Sequence, residues 1–145
     1  MNDCRSSWKV ISCMNNNLLI SIDVGFVLKG GRATIFAYGQ TGSGKTYTMV
    51  GIQAAIAHDL FQMIGSGEVP TVNYQVFLSF FEIYGGRCQD LLNNRNRLNI
   101  REDGNGEVVV SDLVEIQAMC VQDMLNIIEL GKFSKKLRRM YIYLL

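Results

Sequence analysis

Eight consecutive residues, Gly39-Gln40-Thr41-Gly42-Ser43-Gly44-Lys45-Thr46, match the spacing G-x-x-x-x-G-K-[ST] at every fixed position. The chemistry this spacing serves is the holding of phosphate. Glycines let the backbone curl until successive N–H groups point inward, and the start of a following helix adds its partial positive charge at the same place. Lys45 then supplies a point charge for the terminal phosphates, and the Thr46 hydroxyl is placed to complete the shell of a magnesium ion bridging them. At ordinary residue frequencies such a match arises by chance about once in a few hundred chains of this length. The motif alone names a superfamily and no reaction.

The loop needs a strand before it and a helix after it, and the sequence offers both. Ala33, Ile35, Phe36, Ala37 and Tyr38 form a compact apolar run, read as a strand buried on both faces that leads directly into Gly39. Beyond the loop, Ile52, Ala55, Ile56, Leu60, Phe61 and Ile64 recur at helical spacing, with Gly65 and Gly67 as the stop. Residues 72–84 read as a strand entering the centre of a sheet, ended by Gly85 and Gly86. Asp90, Leu91 and Leu92 suggest one helical turn. Leu98 and Ile100 are expected to pair back onto Val108 and Val110 through the turn Asp103-Gly104-Asn105-Gly106. Val121, Met124, Leu125 and Ile128 share a helical face, with Gly131 placed to close that helix in a left-handed conformation. Residues up to Asn17 show no clear period, and Leu18 to Val27 permit either a strand or a short helix. The order of elements indicates an α/β layered architecture.

The remaining composition sets bounds. A chain of 145 residues with 48% hydrophobic content has the size and the apolar material for one folded domain. Fourteen basic against thirteen acidic residues leave a net charge of +1, so no long-range field draws in nucleic acid or an anionic membrane. Cys4, Cys13, Cys88 and Cys120 lie far apart with no C-x-x-C pair, which points to reduced thiols inside the cell and neither a zinc site nor a disulfide framework. The start lacks the apolar run of a signal peptide, and the apolar stretches are shorter than the roughly 20 residues of a membrane span. A soluble protein is expected.

The stretch Phe36 to Met49, FAYGQTGSGKTYTM, resembles the nucleotide loop of kinesin motors. GGRAT, residues 30–34, and FFEIYGGRCQDLLNNRNRLNIREDG, residues 80–104, are most similar to the internal-motor, microtubule-depolymerising kinesins. The resemblance divides the chain into a poorly determined segment 1–29, a partial motor domain 30–131 and a divergent basic and apolar tail 132–145. It implies a partial P-loop NTPase fold, with a central mixed sheet flanked by helices and strands missing at both ends. It also implies ATP and Mg2+ as cofactors, microtubules as partner, a cytoplasmic and cytoskeletal location, and no nucleic acid or membrane partner. By the same resemblance Gly39, Gln40, Thr41, Gly42, Ser43, Gly44, Lys45 and Thr46 wrap the phosphates, Thr46 meets the metal, and Tyr47 stacks on adenine. An aromatic residue packing on the first helical turn is the alternative for Tyr47. Glu82, Asp90, Arg97, Arg101, Glu102 and Asp103 offer tubulin contacts or, as is usual for charges beside turns, a solvated surface. Phe80, Phe81, Ile83 and Tyr84 read as core of a central strand, His58 as a surface or half-buried residue, and the bases between Lys132 and Arg139 as a tubulin contact or a solvated face.

The sequence also departs from the kinesin pattern. The phosphate-sensing N-x-x-S-S-R-S-H and metal-holding D-L-A-G-S-E motifs do not occur in it, and no catalytic residue is assigned. Met49 passes almost directly to Gly51 and Ile52, where the family inserts a loop. Very low ATP turnover is therefore expected of this chain alone, together with marginal stability or self-association through exposed sheet edges.

Overall fold

The computed structural model describes residues 8–13, 24–38, 40, 42–67, 74–133 and 140–144. Gly39 and Thr41 of the loop, Leu18 to Asp23, residues 72–73 and the basic residues 135–139 lie outside them. The chain divides into two compact units, Met1–Asn73 and Tyr74–Leu145.

In the first unit, strand β1 (Trp8–Cys13) pairs in parallel with β2 (Arg32–Ala37), from Trp8 opposite Arg32 to Cys13 opposite Ala37. The aperiodic start thus contains a strand. Helix α1 (Val24–Leu28) lies between them in sequence, and α2 (Lys45–Ser66) follows the loop. β2 alternates exposed and half-buried residues and is not buried on both faces; Phe36 and Tyr38 are 43% and 45% exposed. Among the described residues the elements packed against β2 are β1, α1 and α2, and Arg32, Thr34 and Phe36 stay exposed along it. α2 buries Gln53, Ala57 and Leu60, an i, i+4, i+7 stripe, and runs unbroken across Met49 to Ile52. Gly67 caps it in the left-handed region (φ 71°), where glycine carries no Cβ penalty.

The second unit is an antiparallel sheet with one helix. β3 (Val76–Tyr84) turns through Gly85 and Gly86, both at positive φ, into β4 (Arg87–Asp90), the tight hairpin that a two-glycine turn permits. β5 (Arg97–Glu102) and β6 (Val108–Ser111) form the expected hairpin, with Ile100 opposite Val110. β7 (Ile116–Ala118), helix α3 (Val121–Phe133) and β8 (Met140–Leu144) complete the unit. The strand order is β6-β5-β4-β3-β7, with β8 also on β3. Val76 to Leu78 face both β7 and β8, which makes β3 the central strand.

The pleat of β3 sends its side chains into two cores. Val76, Leu78 and Phe80 are buried on one face, as are Met124 and Ile128 of α3. On the other, Phe81 joins Cys88 and Leu98, with Ile83, Val110 and Leu113 against them. Gly131 does not end α3, which continues to Phe133; a Cβ at Gly131 would lie 3.0 Å from the Phe80 ring. Its glycine serves close approach of helix to strand.

Asp90 ends a strand and does not start a helical turn. It and Glu82 are also buried where solvated charges were expected. Each has polar partners in its buried position. Asp90 accepts the N–H groups of Leu92 (2.8 Å) and Val114 (2.9 Å), and Glu82 meets Arg95 at 3.6 Å. No helix among the described residues is long and apolar enough to cross a membrane.

Candidate functional site

The loop after β2 is shaped by glycine. Gly42 and Gly44 stand at φ 86° and 80°, a region that side-chain-bearing residues enter only with strain. A Cβ at Gly42 would meet nothing within 4 Å, so conformation and not space selects glycine there. The N–H of Ser43 donates to the Gln40 carbonyl at 3.2 Å, closing a tight turn directly before the helix.

α2 starts at Lys45 with Gly44 as its N-cap, no side-chain cap and no acidic residue in the first turn. Most helices satisfy these N–H groups with Ser, Thr, Asp or Asn. Here, among the described residues, neither a side-chain cap nor an acid meets the positive end of a 22-residue helix. Lys45 Nζ bends over the curl, donating to the Gln40 carbonyl at 2.6 Å and approaching Ser43 Oγ at 3.4 Å.

Thr46 is exposed, and Tyr47 is 87% exposed. The tyrosine is therefore not packed on the first helical turn. Phe36 and Tyr38 present their rings 6.2 Å apart just before the loop. Sequence reading placed both in the core, and only their alternation along β2 hints otherwise. His58 is exposed on α2, next to the exposed Asp59.

The donor set suits a polyphosphate chelating a hard cation. It combines left-handed glycines, an uncapped helix start and a lysine over the curl with one exposed hydroxyl. Among the described residues no group of three His, Cys, Asp or Glu side chains is placed to hold a metal. Thr46 fits magnesium in the manner of sites where most ligands come from phosphate and water.

The family model for the kinesin motor domain matches residues 17–141. The chain belongs to the kinesin motor domain family. Diatom spindle kinesin-1 of Cylindrotheca fusiformis is 46% identical over 101 residues, covering 70% of this chain and 16% of that protein. A fast kinesin, whose structure was described for its ATPase mechanism and interactions with microtubules, superimposes with a TM-score of 0.73. It is 35% identical and covers 79% of this chain and 36% of its own. The KIF14 (391–772) dimer, in a two-heads-bound state with AMP-PNP in complex with a microtubule, gives a TM-score of 0.63 at 25% identity, covering 89% and 32%. The fold is thus kinesin motor-like, a partial α/β structure, and the kinesin chain here spans about a third or less of these relatives.

Proposed function

We propose that this kinesin-family chain carries the ATP-binding portion of a microtubule motor. The observation that carries the reading is the left-handed turn at Gly42 and Gly44 running into an uncapped α2 with Lys45 folded over it. In this reading the amides of residues 39–46 hold the phosphates, Lys45 leaves the Gln40 carbonyl for the terminal phosphates, and Thr46 meets Mg2+. Tyr47, already free of packing, lies against adenine. ATP, when bound, supplies the phosphoanhydride whose cleavage drives movement along microtubules or their depolymerisation. Support for a microtubule partner, and so for a cytoplasmic, cytoskeletal setting, comes from the family and from the KIF14 neighbour solved on a microtubule. Support for the depolymerising branch is the likeness of residues 30–34 and 80–104 alone. The chain by itself is proposed to bind nucleotide with little turnover, because the family's water- and metal-positioning motifs do not occur in its sequence.

Calorimetric titration of Mg-ATP into the chain and into Lys45→Ala tests the reading. Saturable binding by the first, weakened about a hundredfold in the second, is the expected result, since a charge-assisted phosphate contact is worth about 3 kcal/mol. Equal affinity, or no binding by either, contradicts it.

A further inference from the structure

Within the second unit a cleft of about 430 Å³ opens between the turn after β4, strand β7 and the end of α3. That volume falls in the range of small-molecule sites. Leu91, 6% exposed, and the half-buried Leu92 and Ile116 give it an apolar floor, and Leu130, 60% exposed, stands at its mouth. Asn94 and Arg95 complete the lining. Both hold left-handed backbone, φ 49° and 59°, although neither is glycine. The turn is closed by the N–H of Asn96 on the Asn93 carbonyl and that of Asp90 on the Asn96 carbonyl, each at 2.9 Å. Glycine would take this shape without strain, so the two side chains are kept at a conformational cost, and both border one cleft.

We propose that this cleft binds a small, neutral, flat aromatic molecule carrying one hydrogen-bonding group. The Arg95 guanidinium meets the Glu82 carboxylate at 3.6 Å, and the pair brings no net charge to the cleft. An anion would be repelled by Glu82 and a cation by Arg95, so charge selects against both. Pairing with a carboxylate uses the N–H edges of a guanidinium and fixes its plane, and the planar face is what stacks on an aromatic ring. The Arg95 side chain is 39% exposed where it lines the cleft, so a ligand can reach it. The leucine and isoleucine side chains cover the rest of the ring and take it out of water. The Asn94 amide, donor and acceptor at once, reads a hydroxyl or amide on the ligand's edge. The proposal goes beyond nucleotide binding and uses none of the loop's residues.

The test is an NMR titration of the full chain with 2-naphthol, following the backbone amides of the six lining residues. They should shift together and saturably, with a dissociation constant below about 1 mM. Arg95→Lys, which keeps the charge facing Glu82 and removes the plane, should weaken binding about fivefold. Asn94→Gly should weaken it by a similar factor, about fivefold, while urea unfolding shows the chain no less stable, because the left-handed strain is relieved. Leu130→Glu, at an exposed position, should weaken it about tenfold by placing a charge at the mouth. Absence of saturable shifts, parental affinity in Arg95→Lys and Asn94→Gly, or equal or tighter binding of naphthalene-2-carboxylate or of the non-aromatic decahydro-2-naphthol would overturn the proposal. Lys45→Ala should bind 2-naphthol as the parent does, so failure here and failure of the motor reading are separable.

Discussion

The buried carboxylate of Asp90 reaches across 24 residues of chain to accept the backbone N–H of Val114 at 2.9 Å. Its other oxygen takes the N–H of Leu92 at 2.8 Å, so one side chain fixes both the turn after β4 and the approach to β7. Hydrogen bonds to a charged acceptor contribute about 1.5–3 kcal/mol each, and losing them leaves buried donors unpaired. Asp90→Ala is expected to destabilise the chain by about 3 kcal/mol in urea unfolding. Asp90→Asn, which keeps one acceptor but aims an N–H at the other amide, should recover less than half of that.

Gly131 and Gly51 predict opposite responses to the same change. A Cβ at Gly131 meets the fully buried Phe80 ring at 3.0 Å, whereas one at Gly51, inside α2, meets nothing within 4 Å. Overpacking costs about 1–3 kcal/mol, while replacing glycine by alanine in a helix interior gains about 0.5–1 kcal/mol. Gly131 lies in the last turn of α3, where the helical gain is smallest, so Gly131→Ala should be net destabilising by about 1 kcal/mol. Gly51→Ala should stabilise. Paired denaturant titrations check both signs.

The turn joining β5 and β6 should respond to pH through Asp103. Asp103 Oδ1 accepts the amides of Glu107 and Asn105, and these bonds, that to Glu107 foremost, hold its carboxyl below the ordinary value of 3.8. A depressed folded pKa means that the turn's stabilisation is complete above the unfolded value and is lost as pH falls through the folded one. Following the Asn105 and Glu107 amide resonances against pH should give a common midpoint below 3.8, absent in Asp103→Asn. A midpoint at or above that value would contradict the assignment.

Tyr47 should matter for the base and not for the phosphates. Its ring is 87% exposed, so Tyr47→Ala is expected to leave stability within about 0.5 kcal/mol of the parent. Loss of aromatic stacking should weaken ATP about tenfold and leave inorganic tripolyphosphate unaffected. Equal losses for both ligands would assign the tyrosine to loop shape.

Much of this was legible before coordinates because local chemistry decided it. The left-handed turn at Gly42 and Gly44, the helix after it and the β5–β6 hairpin are each specified by residues a few positions apart, and all three form where the spacing put them. What escaped sequence reading depended on distant partners. β1 and β8 have no distinctive period and exist by pairing with β2 and β3. Gly131 near a helix end has the same letter whether it caps the helix or admits a neighbouring ring, and only Phe80 settles which. Asp90 and Glu82 look like solvated charges until Val114 and Arg95 are seen beside them. The apolar run before the loop implied two covering layers, but alternation along β2 leaves Phe36 and Tyr38 half open.

The central claim is that backbone amides before α2 are arranged for a triphosphate, and nitrogen-15 NMR of those amides tests it most directly. Adding Mg-ATP should move the resonances of Gly42, Ser43, Gly44, Lys45 and Thr46 together and saturably, with the movement lost in Lys45→Ala. Resonances that stay in place while others shift, or that move equally in the variant, would contradict it.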